Sequence, residues 1–316
     1  MAASRLLTPE QQRPQVYILY ENEDWLPSYR KCRWARRPWA TSVFVNRMSA
    51  SYASRGHRAA LHRSRAVMQC LEAYGRPVIN GTRAMSLELS KIAQYAALRA
   101  YGFKVPKTVP VFEHGDIHAK KPLIENLLNF PVVMKPNCAG KGWMVERCDS
   151  FKDVKKYLKK YDFKKAADDP VLLCQEYIQS AEPYIRRMEF IGGECVYTLQ
   201  VDNRSGFELC PADACQSANS SSKPTHGKQK FLIDNHFHQK NQGFTTKLIE
   251  FMRHNEVDVA AIELIEDNNG DFYVYDINVN TNYNTYAETR AHVTPASKLL
   301  GQFIRSRFVA RYPDYL

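Results

Sequence analysis

Residues 257–284 read VDVAAIELIEDNNGDFYVYDINVNTNYN: two apolar, β-rich runs, 257–265 and 272–277, around the turn-forming Asp267-Asn268-Asn269-Gly270. The pattern predicts a β-hairpin with Glu263 on one strand and Asp276 on its partner. Asn278 stands two residues beyond Asp276, and residues two apart on a strand share a face. Two carboxylates and an amide oxygen converging on one face suit a hard divalent cation, with phosphate oxygens and water completing its shell. An acidic pair exposed on an ordinary hairpin fits the same pattern.

Two other segments offer contacts to anions and polar rings. FPVVMK, residues 130–135, predicts a strand ending in Lys135, followed by PNCAGKGW. A lysine leaving a buried strand beside a glycine turn can set an ammonium and backbone N–H groups on phosphate. Gly140 and Gly142, on either side of Lys141, permit close backbone approach. The GxxxxGK[ST] pattern of a Walker loop is absent, and a plain surface turn explains the stretch in isolation. VLLCQEYI, residues 171–178, predicts a buried strand. Its end, Gln175-Glu176-Tyr177-Ile178, could hold an adenine edge or ribose hydroxyls, or simply leave the core.

The elements that must position these groups follow from period and punctuation. Short β-rich runs at 15–20, 41–45 and 77–80, with a helix over 57–74 closed by Gly75, make a small α/β domain of about eighty residues. Only about twenty residues, including RKCRWARRPWA, separate its first two strands, so the domain reads as abbreviated or locally altered. SLELSKIAQYAALRAY, 86–101, predicts one helix capped by Ser86 and stopped by Gly102. A strand at 106–112 follows. FKDVKKYLKKYDFKK, 151–165, predicts an amphipathic helix with a solvated basic face. Strands at 188–190, 194–201 and 207–209 are joined by turns at Gly192-Gly193 and Ser205-Gly206. A polar loop at 217–227 and helices at 244–254 and 296–308 complete the reading.

In chain order these features are a helical Lys91, Lys135, a glycine loop, Gln-Glu-x-Ile, the pair Arg186-Arg187, then carboxylate, carboxylate, Asn. In that order and spacing the chain resembles the ATP-grasp superfamily, and in particular the RimK-type ligases, over roughly residues 78–284. The resemblance implies an α/β (α+β) fold in which two lobes clasp ATP behind a small N-terminal α/β domain. The implied divisions are 1–82, 83–190 with the lid lobe, and 191–316 with the metal site. It implies that Lys91 and Lys135 reach the ATP phosphates and that residues 139–143, with Gly140, Lys141 and Gly142, close over them. Gln175, Glu176 and Ile178 would receive ribose and adenine. Arg186, with Arg187 as fallback, would steady the transferred phosphate beside Lys135. Glu263, Asp276 and Asn278 would hold Mg²⁺ or Mn²⁺.

The implied activity is ligation of a carboxylate, on a small molecule or peptide, to an amine through an acylphosphate. A phosphotransferase and a catalytically inactive nucleotide- or RNA-binding protein are the alternatives. The chain departs from the family in exchanging the Asp and Glu of the two metal strands. It also lacks the proline after the final Asn, where NTNYN stands and Asn280 and Asn282 could add contacts to substrate.

Composition agrees with this class. Hydrophobic residues are 44% and charged residues 24%, enough apolar matter for a sizeable core. No run is long enough for a membrane helix, and the N-terminus lacks the apolar centre of a signal peptide. Eight cysteines are scattered without a Cys-x-x-Cys pair, which predicts free thiols in a cytoplasmic protein. The net charge of +11 favours anionic partners. The cluster Arg30–Arg37 with Trp34 and Trp39 has the charge and rings for nucleic acid, but no nucleic-acid motif accompanies it. Arg47 and Arg204 could each grip a carboxylate, and His57, His62, His236 and His238 read as solvated or packed.

Overall fold

The β-rich runs form strands throughout the residues that the computed structural model describes, which are 15–20, 42–52, 57–113, 115–163, 169–204 and 230–315. QVYIL and SVFVN are β1 (Gln15–Leu19) and β2 (Ser42–Asn46), with the short β3 (Val78–Ile79) beside them. β2 lies between the other two, parallel to both. It is buried along its whole length, as a parallel strand requires. α1 (Arg58–Ala73) packs Leu61, Met68 and Leu71, all on one helical face, against Phe44 of β2 and Met85 of α2 (Thr82–Leu89).

The single helix expected over 86–101 is two. α3 (Lys91–Ala100) starts after Ser90, whose backbone is extended and whose hydroxyl accepts the Ala93 N–H. The cap is therefore Ser90; the Ser86 hydroxyl donates instead to the Thr82 carbonyl within α2. Asn137 supports the break. Its carbonyl accepts the Lys91 N–H at 3.3 Å and its side-chain oxygen the Ile92 N–H at 2.9 Å, satisfying donors that a helix start leaves open. Lys91 thereby becomes the first residue of α3.

A second sheet holds β4 (Thr108–Val111), β5 (Val132–Pro136), β6 (Glu146–Cys148) and β7 (Leu172–Glu176) in the antiparallel order β4-β7-β5-β6. Its core joins Val109, Val132, Met134 and Leu172 to Ile117 of α4 (Asp116–Ala119) and Ile124 of α5 (Lys121–Leu127). It also takes Val154, Tyr157 and Leu158 from α6 (Phe151–Lys160). α6 is the basic helix, capped by Ser150; it ends at Lys160, and residues 164–165 of the expected span lie outside the described residues.

The third sheet is antiparallel, ordered β10-β9-β8-β11-β12. Its strands are β8 (Tyr184–Ile191), β9 (Glu194–Asp202), β10 (Phe231–Asp234), β11 (Val259–Glu266) and β12 (Phe272–Asn278). Alternation along β11 sends Ala260, Ile262 and Leu264 into one core, shared with Leu98 of α3. Phe237 of α7 (Phe237–Lys240) joins that core, with Leu248 and Phe251 of α8 (Gln242–His254). Val259 belongs to another, with Val43 of β2, Ala287 of α9 (Thr285–Arg290) and Ile304 of α10 (Ala296–Arg311). Each large apolar side chain so enclosed contributes about 1.5–3 kcal/mol. β6, β10, α4, α5, α7 and α9 were not foreseen from the sequence.

The strand at 207–209, the turn Ser205-Gly206, the loop at 217–227, Cys32, Cys210, Cys215 and the basic cluster Arg30–Arg37 lie outside the described residues. Cys70, Cys138, Cys148, Cys174 and Cys195 are free thiols. Among the described residues no helix is long and apolar enough to cross a membrane.

Asn80 ties the first sheet to the third. It is buried and left-handed, with φ +54°. Its Nδ2 donates to the carbonyls of Val259 and Val279, both at 2.7 Å, and its Oδ1 accepts the N–H groups of Asp258 (2.9 Å) and Val259 (3.1 Å). That uses the full capacity of a carboxamide. Asn80→Ala leaves these backbone groups unpaired and puts a Cβ residue without side-chain bonding at positive φ. The expected loss is about 2–5 kcal/mol, measured by equilibrium urea unfolding. A loss under about 1 kcal/mol would contradict this role.

Candidate active site

In the register of the third sheet, Glu263 of β11 stands opposite Asp276 of β12 and, on its other side, opposite Arg187 of β8. Glu263 is only 6% exposed. Two neighbouring carboxylates withdrawn from water repel each other and lose hydration, which costs several kcal/mol unless cations answer them. Arg187 Nη1 lies 2.5 Å from Glu263 Oε1 and its Nε 2.7 Å from Glu189 Oε1. Lys91 Nζ lies 2.5 Å from Asp276 Oδ1. Asn278 Nδ2 is 3.4 Å from both Glu263 Oε1 and Asp276 Oδ2.

α3 holds this side of the site. The Gln94 carboxamide exchanges two hydrogen bonds with the Ile277 backbone, at 2.9 and 3.0 Å, and the Tyr95 hydroxyl donates to the Tyr275 carbonyl at 2.9 Å. Asp276 is thus fixed between two clamped residues, facing Lys91.

The charges respond accordingly. Burial raises the Glu263 carboxyl against the opposing pull of Arg187. Burial alone would raise Asp276 too, but the Lys91 and Lys135 charges outweigh it and hold the group below its ordinary value. Burial alone would lower the Lys91 ammonium, and Asp276 more than reverses that.

The two arginines of the expected pair part company. Consecutive strand residues point to opposite faces, so only one of the pair can join Glu263. That one is Arg187, which is buried. Arg186 turns away to Glu266, 2.5 Å distant, with its guanidinium over the Phe237 ring at 4.4 Å.

These groups open on a cavity of about 540 Å³, within the range of small-molecule and cofactor sites. Lys91, Lys135, Gly140, Lys141, Gly142, Gln175, Glu176, Ile178, Glu263, Asp276 and Asn278 all line it. Of the expected site residues, Arg186 alone is not in its wall, and Arg187 is.

Lys135 is 6% exposed and, among the described residues, in no ion pair. Its Nζ lies 5.5 Å from the Tyr95 ring centre and 5.8 Å from that of Tyr275. The glycine turn bends through Lys141 (φ +60°), Gly142 (φ +67°) and Met144 (φ +55°). Gly140 lies so near Ser51 that a Cβ would come within 3.3 Å of the Ser51 Cβ. At the far end, Gln175 Nε2 donates to Thr108 Oγ1 at 2.9 Å, and Glu176 Oε2 accepts the Lys107 N–H at 3.0 Å.

The sequence reading missed Glu88, Ser49 and Ser51, which line the same cavity. Glu88 Oε1 accepts the Ala50 N–H at 2.9 Å and Oε2 the Val279 N–H at 2.8 Å. Its one local signal is its place three residues before Lys91 in the sequence. Arg47 is spent on structure: its guanidinium donates to the Thr281 carbonyl (2.9 Å) and Asn282 Oδ1 (3.2 Å). Arg204 is held by Asp202.

No family model and no curated protein matches the chain in sequence. Solved structures do match it in shape. The D-cycloserine synthetase DcsG superposes over 94% of this chain and 100% of its own, with TM-score 0.61 and 13% identity. A RimK domain protein ATP-grasp from Sphaerobacter thermophilus covers 83% of this chain and 80% of its own, with TM-score 0.53 and 16% identity. The ATP-grasp ligase PsnB complexed with minimal precursor, Mg and ADP covers 85% and 78%, with TM-score 0.52 and 13% identity. The chain has the ATP-grasp fold.

Within this ATP-grasp fold the second and third sheets both contribute walls to the cavity, through Lys135 and Gln175 on one side and Glu263 and Asp276 on the other. The oxygen donors present fit a hard divalent cation. Glu263, Asp276 and Asn278 offer oxygen ligands, while the described residues contain no group of three or more His, Cys, Asp or Glu able to hold a metal unaided.

Burial pushes Glu88 from its ordinary 4.5 up to about 7. The folded state therefore holds that proton more tightly than the unfolded chain, and the associated stability is complete below about 4.5 and is lost as pH rises through about 7. Glu88→Gln removes the titration. The melting temperature of the wild type relative to this variant should fall across that window and level off above it. A difference that stays flat with pH would contradict the burial argument.

Proposed function

We propose that the protein is an ATP-dependent carboxylate–amine ligase. The observation that carries this reading is Lys135, a buried ammonium in no ion pair among the described residues, in a nucleotide-sized cavity that also holds a pair of opposed carboxylates. An isolated buried charge costs several kcal/mol until a counter-ion arrives. A triphosphate would answer Lys135, and Glu263, Asp276 and Asn278 would hold a Mg²⁺ that, when bound, would supply charge neutralisation.

The same reading assigns the remaining roles. Gln175, Glu176 and Ile178 receive the nucleoside, where polar side chains meet the apolar Val133 and Ile265 of the cavity wall. Gly140, Lys141 and Gly142 lie over the phosphates and exclude water. Lys91, Lys135 and Arg187 spread positive charge around the phosphoryl group in transfer. The substrate carboxylate takes that group, giving an acylphosphate and ADP. The amine, having given up its ammonium proton to solvent, then attacks the acyl carbon through its lone pair; the C–O bond to phosphate breaks, and phosphate leaves with the second proton lost from nitrogen. Solved neighbours include PsnB complexed with a precursor peptide and a D-Ala:D-Ser ligase, which supports an amino acid or peptide as the acid. The divisions 1–82, 83–190 and 191–316 serve as the domain plan of this reading.

Lys135→Ala and Asp276→Ala should each lower acid-dependent ADP release by about 100- to 1000-fold or more. Arg187→Ala should fall into the same range, and Arg186→Ala should stay near wild type. A coupled assay over the standard amino acids reads all four variants. Unchanged turnover in Lys135→Ala and Asp276→Ala together would end the assignment.

A further inference from the structure

The cavity wall keeps its buried charges in pairs, with two exceptions among the described residues. Lys91 is tied to Asp276, and Arg187 to Glu263 and Glu189. Lys135 and Glu88 are in no ion pair. Phosphate answers Lys135 in the reading above. Glu88 poses the opposite demand.

Glu88 is 6% exposed, at the end of α2, between the turn Ala50–Tyr52 and the exit of β12. Its two hydrogen bonds come from backbone N–H groups on opposite sides, at Ala50 and Val279. They fix the carboxylate and leave each oxygen a further lone pair toward the cavity it lines. Two neutral donors do not cancel a unit charge. The charged groups that act on it, Asp276 and Lys91, are already tied to each other. The group's upward shift fits a carboxylate lacking a counter-ion. Beside it Ser49 and Ser51, whose hydroxyls lie 3.0 Å apart, give the wall a polar, uncharged surface. An anionic group is repelled here, and a protonated amine completes the missing pair.

We propose that Glu88 is the amine subsite of this cavity, its carboxylate receiving the ammonium of the second substrate. The proposal rests on the ligase reading and adds to it the class of that substrate, a basic primary amine bound as its cation.

The test uses the full chain with ATP, Mg²⁺ and the standard amino acids as acids, and compares two nucleophiles. Hydroxylamine is uncharged at neutral pH and traps an activated carboxylate as a hydroxamate; the amino acids themselves serve as charged amines. The readout is the ratio of amide to hydroxamate. Glu88→Gln should lower that ratio by about tenfold or more, and Glu88→Asp, which keeps the charge on a shorter arm, should stay closer to wild type. A purely structural Glu88 gives the reverse order, because Gln keeps the shape and Asp does not. That order, or an equal fall in both products, overturns the proposal. A raised Mg²⁺ requirement for ADP release in Glu88→Gln makes the residue a metal ligand and overturns it too. In the wild-type protein, n-butylammonium should compete with the amine and n-butanol should not; equal effects would contradict the subsite without reference to any variant. If the wild type yields no hydroxamate and releases no ADP with any acid, the ligase reading fails and the subsite with it.

Discussion

Two carboxylates set face to face across antiparallel strands, both withdrawn from water, cannot stand without cations, and much of this site is arranged around that requirement. Arg187 reaches Glu263 from the neighbouring strand, and Lys91 reaches Asp276 from the first turn of a helix. Each cation is itself fixed by something distant in sequence. Asn137 holds the helix start that carries the buried Lys91, and the Arg187 guanidinium is steadied by its near neighbour Glu189 and by the distant Thr281, whose hydroxyl accepts from Nη2 at 2.8 Å. Removing one member of such a buried pair leaves an uncompensated charge, which costs about 3–5 kcal/mol.

The same requirement makes the N-terminal sheet part of the site. Asn80 bolts it to β11 and to the segment after β12, and Glu88 joins the turn after β2 to that same segment. Arg47 adds contacts from its guanidinium to residues 281 and 282, while its carbonyl accepts from Asn280 Nδ2 at 2.9 Å. The NTNYN stretch, which departs from the family pattern, is held by polar contacts rather than by a proline ring.

What was legible in the sequence depended on distance along the chain. The Glu263–Asp276 hairpin, the Lys135 strand and the glycine turn are local patterns, and the structure brings all three to one cavity. The choice between Arg186 and Arg187 depended on which face of β8 meets β11, a pairing between segments some seventy residues apart. The break at Ser90 was hidden because apolar spacing runs straight through it and its cause, Asn137, lies 45 residues from Ile92. Glu88 carried no motif, since its partners are 38 and 191 residues away. The resemblance to RimK-type ligases found its counterpart in shape, at identities of 13–16% where sequence comparison found no match.

The central claim is that Lys135, in no ion pair among the described residues, is a phosphate site facing the carboxylate pair. A crystal structure with Mg²⁺ and a non-hydrolysable ATP analogue tests it most directly. The account predicts phosphate oxygens within hydrogen-bond distance of Lys135 Nζ and a cation touching Glu263 and Asp276. An analogue bound elsewhere, with Lys135 turned to a protein carboxylate, would contradict it.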